Sequence, residues 1–197
     1  EIDRRLIRDK ISMLQHELRN LEKRREVQSK LRWDSGIFSV SLAGYTNAGK
    51  STLLNQLTNA SVYAKDELFA TLDPTTRTIT LEEGRKITLT DTVGFIQKLP
   101  TTLIESFKST LAEAQAADLI LLVVDASDKN FDKEIEVVTS ILNDIKVSAH
   151  KKLLVFNKID LLDTNNLAKM RTLYPDAVFI SAQKAMGLRG LLYTIAH

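Results

Sequence analysis

Residues 44–51 read Gly44-Tyr45-Thr46-Asn47-Ala48-Gly49-Lys50-Ser51: two glycines with four residues between them, then at once a lysine and a hydroxyl. An apolar stretch, Phe38–Ala43, precedes them, and a helical pattern near Lys50–Leu57 follows. A strand that turns on glycine and opens directly into a helix leaves the first N–H groups of that helix without partners. Those groups, with the positive end of the helix dipole, suit an anion. Gly44 and Gly49 let the backbone wrap closely, so that its N–H groups point inward. Lys50 is placed to neutralise β- and γ-phosphates, and the Ser51 hydroxyl to coordinate Mg²⁺. Every fixed position of a phosphate-binding loop is filled, in the strand–turn–helix context the pattern requires. Gly44 through Ser51, with Thr52 next in the helix, are therefore candidate contacts for a nucleotide's phosphates.

From Ile37 onward strands and helices alternate. Thr76–Leu81 and Lys86–Thr90 read as a hairpin around Glu83-Gly84. Thr101–Ala114 reads as an amphipathic helix with Leu103, Phe107, Leu111 and Ala114 on one face. Leu119–Val124 and Lys152–Phe156 are continuous apolar runs, as strands buried on both faces should be. Helices are expected at Lys133–Ile145, Asn165–Leu173 and from Leu188, with a strand at Ala177–Ile180. Alternating β and α predicts an α/β fold, a mostly parallel sheet flanked by helices.

Two further motifs fall at strand ends. Asp91-Thr92-Val93-Gly94 follows Lys86–Thr90, forty residues beyond Ser51. An aspartate there can hold a magnesium-bound water, and the Gly94 N–H can sense a γ-phosphate; the placement gives weight to a D-x-x-G run that is weak alone. Asn157-Lys158-Ile159-Asp160 follows Lys152–Phe156. Asp160 can accept from N1–H and the exocyclic amine of guanine, a donor pair adenine lacks, and hydrogen bonds to a charged group are worth about 1.5–3 kcal/mol each. Asn157 is expected to bind the base edge and tie loops together, and the Lys158 stem to cover the ring face. Ser181-Ala182, with Gln183 after it, follows the next strand and is placed to present a backbone amide to guanine O6.

Four motifs in this order resemble the translation-factor-related GTPases. Gly44–Ser51, Leu68-Phe69-Ala70-Thr71-Leu72-Asp73-Pro74-Thr75 and Asp91-Thr92-Val93-Gly94-Phe95-Ile96 closely resemble the HflX family, over essentially residues 1–190. The resemblance implies a GTPase that binds the large ribosomal subunit and splits stalled or idle ribosomes. It places Phe69, Ala70, Thr71, Leu72 and Asp73 in the first switch. Thr71, Thr75 and Thr76 are all candidates for the hydroxyl that reaches Mg²⁺, and the resemblance favours Thr71. Lys50, Thr71 and Gly94 then carry the catalytic roles, with Ser51 and Thr71 on Mg²⁺ directly and Asp91 through water. Phe95 stands where many GTPases place a glutamine that orients water. A phenyl ring cannot do so, whether it faces the site or packs in the core, and slow unaided hydrolysis follows. Asn47 occupies a position that coordinates K⁺ in potassium-dependent relatives; the alternative is loop hydrogen bonding, which Asn favours in turns.

Residues 1–33 carry ten Lys/Arg and six Asp/Glu, net +4; the remaining 17 basic and 19 acidic residues give −2. Residues 2–32 read as one helix with a heptad seam, Ile7, Ile11, Leu14, Leu18 and Leu21, ended by Asp34-Ser35-Gly36. Residues 1–33 thus form a basic helical arm and 37–197 the G domain. The arm suits a polyanion such as ribosomal RNA, or equally a coiled-coil partner. It matches the basic helical segment of HflX, whose further N-terminal subdomain is not in these residues; the start at Glu1 in place of Met is what a piece of a longer protein would show. No cysteine, no signal-peptide pattern and no apolar run long enough to span a bilayer agree with the cytoplasmic location expected here. A monomer is the separate expectation for its assembly. His16, His150 and His197 have no metal-ligand spacing, and Trp33 is expected to pack at the junction. Two other readings stand beside the ribosomal one: a GTPase switch acting on another RNA or protein, and an RNA-binding adaptor that holds nucleotide without turnover.

Overall fold

A computed structural model describes residues 37–58, 75–92, 117–144 and 151–197. The arm, Asp34-Ser35-Gly36, Phe69–Asp73, Val93–Ile96, Thr101–Ala114, His16, Trp33 and His150 lie outside the described residues.

Six strands and four helices are described: β1 (Phe38–Gly44), α1 (Lys50–Thr58), β2 (Thr75–Thr80), β3 (Lys86–Asp91), β4 (Leu119–Asp125), α2 (Phe131–Asp144), β5 (Lys151–Asn157), α3 (Thr164–Leu173), β6 (Val178–Phe179) and α4 (Leu188–Ala196). The strands form one sheet in the order β2-β3-β1-β4-β5-β6. β1 is parallel to β3 and β4, β4 to β5, and β5 to β6; only the β2–β3 hairpin is antiparallel. The expected mostly parallel α/β sheet is the one observed. The expected strand Ala177–Ile180 shortens to two residues, Val178 and Phe179. Beyond them Ile180 turns to bridge the loops: its N–H donates to Phe156 O and its carbonyl accepts from Ile159 N.

Both faces of the sheet are covered, so the apolar runs divide with a period of two. On β4, Leu119, Leu121 and Val123 join a cluster with Leu53 and Leu54 of α1 and Leu191 and Ile195 of α4. Ile120, Leu122 and Val124 face the other way, onto Val138 and Leu142 of α2 and Met170 of α3. Slipping β4 by one residue would exchange its two faces, so its register against β1 and β5 is firmly specified. That register runs from Leu119↔Lys151 to Asp125↔Asn157. It brings the C-terminal ends of β1, β4 and β5 to one edge, where an open parallel sheet carries its ligand crevice.

Candidate nucleotide site

The loop after β1 turns sharply at both glycines. A β-carbon on Gly44 would collide with the carbonyl of Val123 on β4. One on Gly49, whose φ is 90°, would collide with the Asn157 side chain. These are the close approaches for which only glycine fits. Asn47 sits at φ 62°, exposed, a left-handed conformation that Asn tolerates better than most residues. α1 then starts at Lys50 with no acidic residue in its first turn, so the protein supplies no carboxylate there to match the helix's positive end.

Lys50 is almost fully buried, and its Nζ donates to the carbonyls of Gly44 at 3.1 Å and Tyr45 at 2.9 Å. Burial pushes its pKa down to about 8, against the opposing pull of Asp91 and Glu134. Ser51 Oγ donates to Asp91 Oδ2 at 2.6 Å. The two residues expected to share a magnesium ion therefore converge, one from α1 and one from the end of β3. Thr92, also buried, donates its hydroxyl to Leu42 O at 2.6 Å and ties the end of β3 to β1. Thr76 Oγ1 lies 2.9 Å from Thr90 Oγ1 across the hairpin. That pairing places Thr76 on the sheet, with its hydroxyl already engaged.

At the other end, Asn157 acts as a bolt. Its Nδ2 donates to Ala48 O, and its Oδ1 accepts from Ala182 N, both at 2.9 Å, while only 2% of the residue is exposed. One side chain thus joins the phosphate loop to the 181–183 loop, the tie expected from sequence. Ser181 N donates to Met186 O and Lys184 N to Ser181 Oγ. An O6 contact from the Ala182 amide would be shared with Asn157, and Gln183 is exposed beside it. Asp160 lies in a 3₁₀ turn, Ile159–Leu161, opened by Lys158 in the left-handed conformation. Its Oδ1 is buried and has no hydrogen-bond partner among the described residues. A buried, unpartnered carboxylate oxygen is costly unless a ligand satisfies it.

Sequence reasoning missed two features. The Lys158 ammonium does not hang free: it lies 2.7 Å from Asp125 Oδ2. Glu134, in the first turn of α2, also belongs to this neighbourhood. Burial and the negative charges of Asp128 and Asp125 push its carboxyl up to about 7, against Lys158 and Lys50. Neither could be found from a motif, because both depend on β4 ending beside β5. A hollow of about 300 Å³ lies between Tyr45, Asp128 and the face of α2 that carries Lys133, Glu134 and Val137.

A phosphate loop at a helix start, a serine and an aspartate brought together beside it, and a bolted N-K-x-D loop on a parallel sheet define a P-loop GTPase. The profile of the family described as 50S ribosome-binding GTPase matches residues 39–158, and the chain belongs to that family. It is further similar, along nearly its whole length, to proteins named GTPase HflX, as the motifs suggested. The one from Magnetococcus marinus is 46% identical over 192 residues, 98% of this chain and 44% of the relative. The chain spans less than half the length of the curated relatives it matches. Among solved structures, a GTP-binding protein from Sulfolobus solfataricus in complex with GDP is 30% identical, with a TM-score of 0.62 over 88% of this chain and 57% of that one. Era in complex with MgGDPNP and nucleotides of 16S ribosomal RNA is 26% identical, with a TM-score of 0.66 over 81% and 55%. No described helix is long and apolar enough to cross a membrane.

Proposed function

We propose that residues 37–197 bind GTP and GDP with Mg²⁺ and hydrolyse GTP, and that the domain works on the large ribosomal subunit to split or rescue ribosomes. The observation that carries the nucleotide reading is the buried, unpartnered Asp160 Oδ1, held beside a bolted Asn157 at the strand ends. The Asp160 carboxylate would accept from N1–H and N2–H₂ of guanine through its two oxygens, and adenine would leave the buried Oδ1 unsatisfied. Gly44–Ser51 and Thr52 take the phosphates; Asp91, Thr92, Val93 and Gly94 read the γ-phosphate; Phe69–Asp73 supply the first switch.

The donor set fits magnesium. A serine hydroxyl and an aspartate oxygen 2.6 Å apart are oxygen ligands of the kind Mg²⁺ takes. Ser51 and Thr71 would hold it directly and Asp91 through water. When bound, it neutralises charge on the β- and γ-phosphate oxygens. The protein's own part is positioning. Lys50 exchanges its two carbonyls for phosphate oxygens, and Asn157 keeps the phosphate and base loops at a fixed separation. Asn47, exposed and left-handed, keeps its K⁺ role as a proposal.

The ribosomal part rests on the family's description and on the resemblance to HflX. Residues 1–33, as a basic arm of net +4, would neutralise RNA phosphates in a cytoplasmic, monomeric protein. Phe95 leaves the attacking water unpositioned, so the subunit is expected to order the second switch and accelerate hydrolysis. The test is co-sedimentation and phosphate release with purified large subunits, using a GTP analogue and GDP. Binding in the GTP state with stimulated release is expected. No binding in either state, repeated with a longer chain, would falsify the ribosomal assignment and favour a GTPase acting on another RNA or protein. Absence of turnover with GTP binding intact would favour an adaptor.

A further inference from the structure

We infer that Asp125, which no guanine-binding motif includes, is a positioning residue for base recognition: it holds the Lys158 ammonium on the end of β4 and so keeps the Asp160 carboxylate available to guanine. The inference rests on the guanine-site reading above.

Asp125 is the last residue of β4 and stands in register with Asn157. Its carboxylate is held by Ser127 independently of Lys158. Oδ1 accepts from Ser127 N at 2.9 Å and Ser127 Oγ at 2.6 Å, which turns Oδ2 toward Lys158 Nζ at 2.7 Å. The pair is mostly shielded, with 25% of the Lys158 side chain and 19% of the Asp125 side chain exposed. A charge-assisted bond so shielded from water is stronger than a surface ion pair. The backbone agrees: Ala126 N donates to Asn157 O, so the two strand ends are clamped at the point where Lys158 departs.

Lys158 needs such an anchor for two reasons. It holds a left-handed conformation, φ 63°, that a lysine adopts only when its surroundings over-determine it. It also stands two residues before Asp160, the anion nearest in sequence that its ammonium could neutralise. An ammonium on Asp160 would fill the acceptor that guanine requires. With Asp125 as the partner of Lys158, Asp160 Oδ1 is left without a described partner.

The experiment is a double-mutant cycle read by release of a fluorescent GDP analogue and by GDP affinity from calorimetry. Asp125→Asn keeps the shape and a hydrogen-bond acceptor for Ser127 but removes the charge. Lys158→Met keeps the stem and removes the ammonium. D125N is expected to speed GDP release about tenfold, the value of one bond to a charged group. In the K158M background the same substitution should change release by less than about twofold, because the residue through which it acts is gone. Equal acceleration in both backgrounds, or none in the wild-type background, overturns the inference. Should D125N not fold, Ser127→Ala removes one of the bonds that aim the carboxylate. It should speed release roughly two- to threefold, again only while Lys158 is present. Asp160→Ala separates the two levels: if it leaves GDP affinity unchanged, the guanine-site reading falls and this inference with it. If it weakens GDP and the cycle is additive, only the role of Asp125 falls.

Discussion

At the phosphate end of the site Lys50 and Ser51 are engaged with the protein itself, whereas at the proposed base end the Asp160 carboxylate keeps a buried oxygen without a described partner. Lys50 bonds to two loop carbonyls and Ser51 to Asp91. Asp160 Oδ1 bonds to nothing described, and Lys158 is held off on Asp125. On the proposed reading, a phosphate reaching Lys50 and a magnesium ion reaching Ser51 would displace these partners, so their contribution would be a difference between two bonded states. A guanine at Asp160 would displace no described partner of Oδ1, so on the proposed reading its hydrogen bonds would count nearly in full. The proposed reading thus assigns base selectivity to the Asp160 end and nucleotide-state sensing to the Lys50 end.

The largest expected effect comes from the Asp160 end. Asp160→Ala removes the acceptor for two guanine donors and should weaken GDP binding by about 10²–10⁴-fold, two charged hydrogen bonds' worth. Asp160→Asn should transfer preference to a xanthine nucleotide, whose exocyclic oxygen replaces the amine. Calorimetry with GDP, XDP and ADP checks both. A loss that is the same for GDP and ADP would mean that the base end is not where selectivity resides.

At the Lys50 end the same kind of substitution should give effects of opposite sign on binding and on stability. Lys50→Met should weaken GTP by about 10²-fold, since a buried cation facing phosphates is lost. It should also stabilise the nucleotide-free protein by roughly 1–3 kcal/mol, because an ammonium held in the interior is replaced by an apolar chain. The pH dependence follows. Unfolded, Lys50 titrates near 10.5; folded, burial brings it to about 8. Its charged form is thus disfavoured in the fold, and nucleotide-free stability should rise as pH climbs from about 8 toward 10.5, a slope that Lys50→Met abolishes. Urea titrations at pH 7.5 and 9.5 measure it. A slope unchanged in the variant would show that the lysine is not strained by burial. Ser51→Ala should be milder, reducing the magnesium enhancement of GTP affinity by about tenfold with little change in EDTA. An equal loss with and without magnesium would place Ser51 on phosphate alone.

The two ends also differ in how far the sequence revealed them. Gly44–Ser51, Asp91 and Asn157–Asp160 could be found because each motif sits at a strand end that hydrophobic period alone locates. Observed strand bounds differ from the expected ones by a residue or two, as with β4 ending at Asp125 in place of Val124. That single residue mattered. Counted as loop, Asp125 carried no meaning; counted as the last position of β4, it faces Asn157 and reaches Lys158. The engagement of Lys50 with Gly44 and Tyr45 was equally hidden, since the motif describes the lysine with phosphate bound. Motifs record what a residue does to a ligand. Which protein atoms it touches otherwise depends on register and burial, which emerge only from the assembled sheet.

Glu134 gives the smallest expected effect and joins the two ends, because its carboxyl feels both Lys158 and Lys50. Burial first, then Asp128 and Asp125, lift it from 4.5 to about 7, and the two lysines only partly offset this. With the folded value above the unfolded one, the protonated carboxyl favours the fold. That stability is complete below about pH 4.5 and is lost as pH rises through 7. The group is only partly buried, so after allowance for solvent screening the whole change should stay below about 1 kcal/mol. Glu134→Gln is neutral at every pH and should remove the slope. Relative to wild type, the variant should therefore gain stability between pH 5 and pH 8, measured by urea unfolding without nucleotide. A wild-type-to-variant difference that is flat across this range would show that the lysines hold Glu134 ionised in the fold. The phosphate and base ends would then share a balanced ion cluster, and the carboxyl between them would carry no strain.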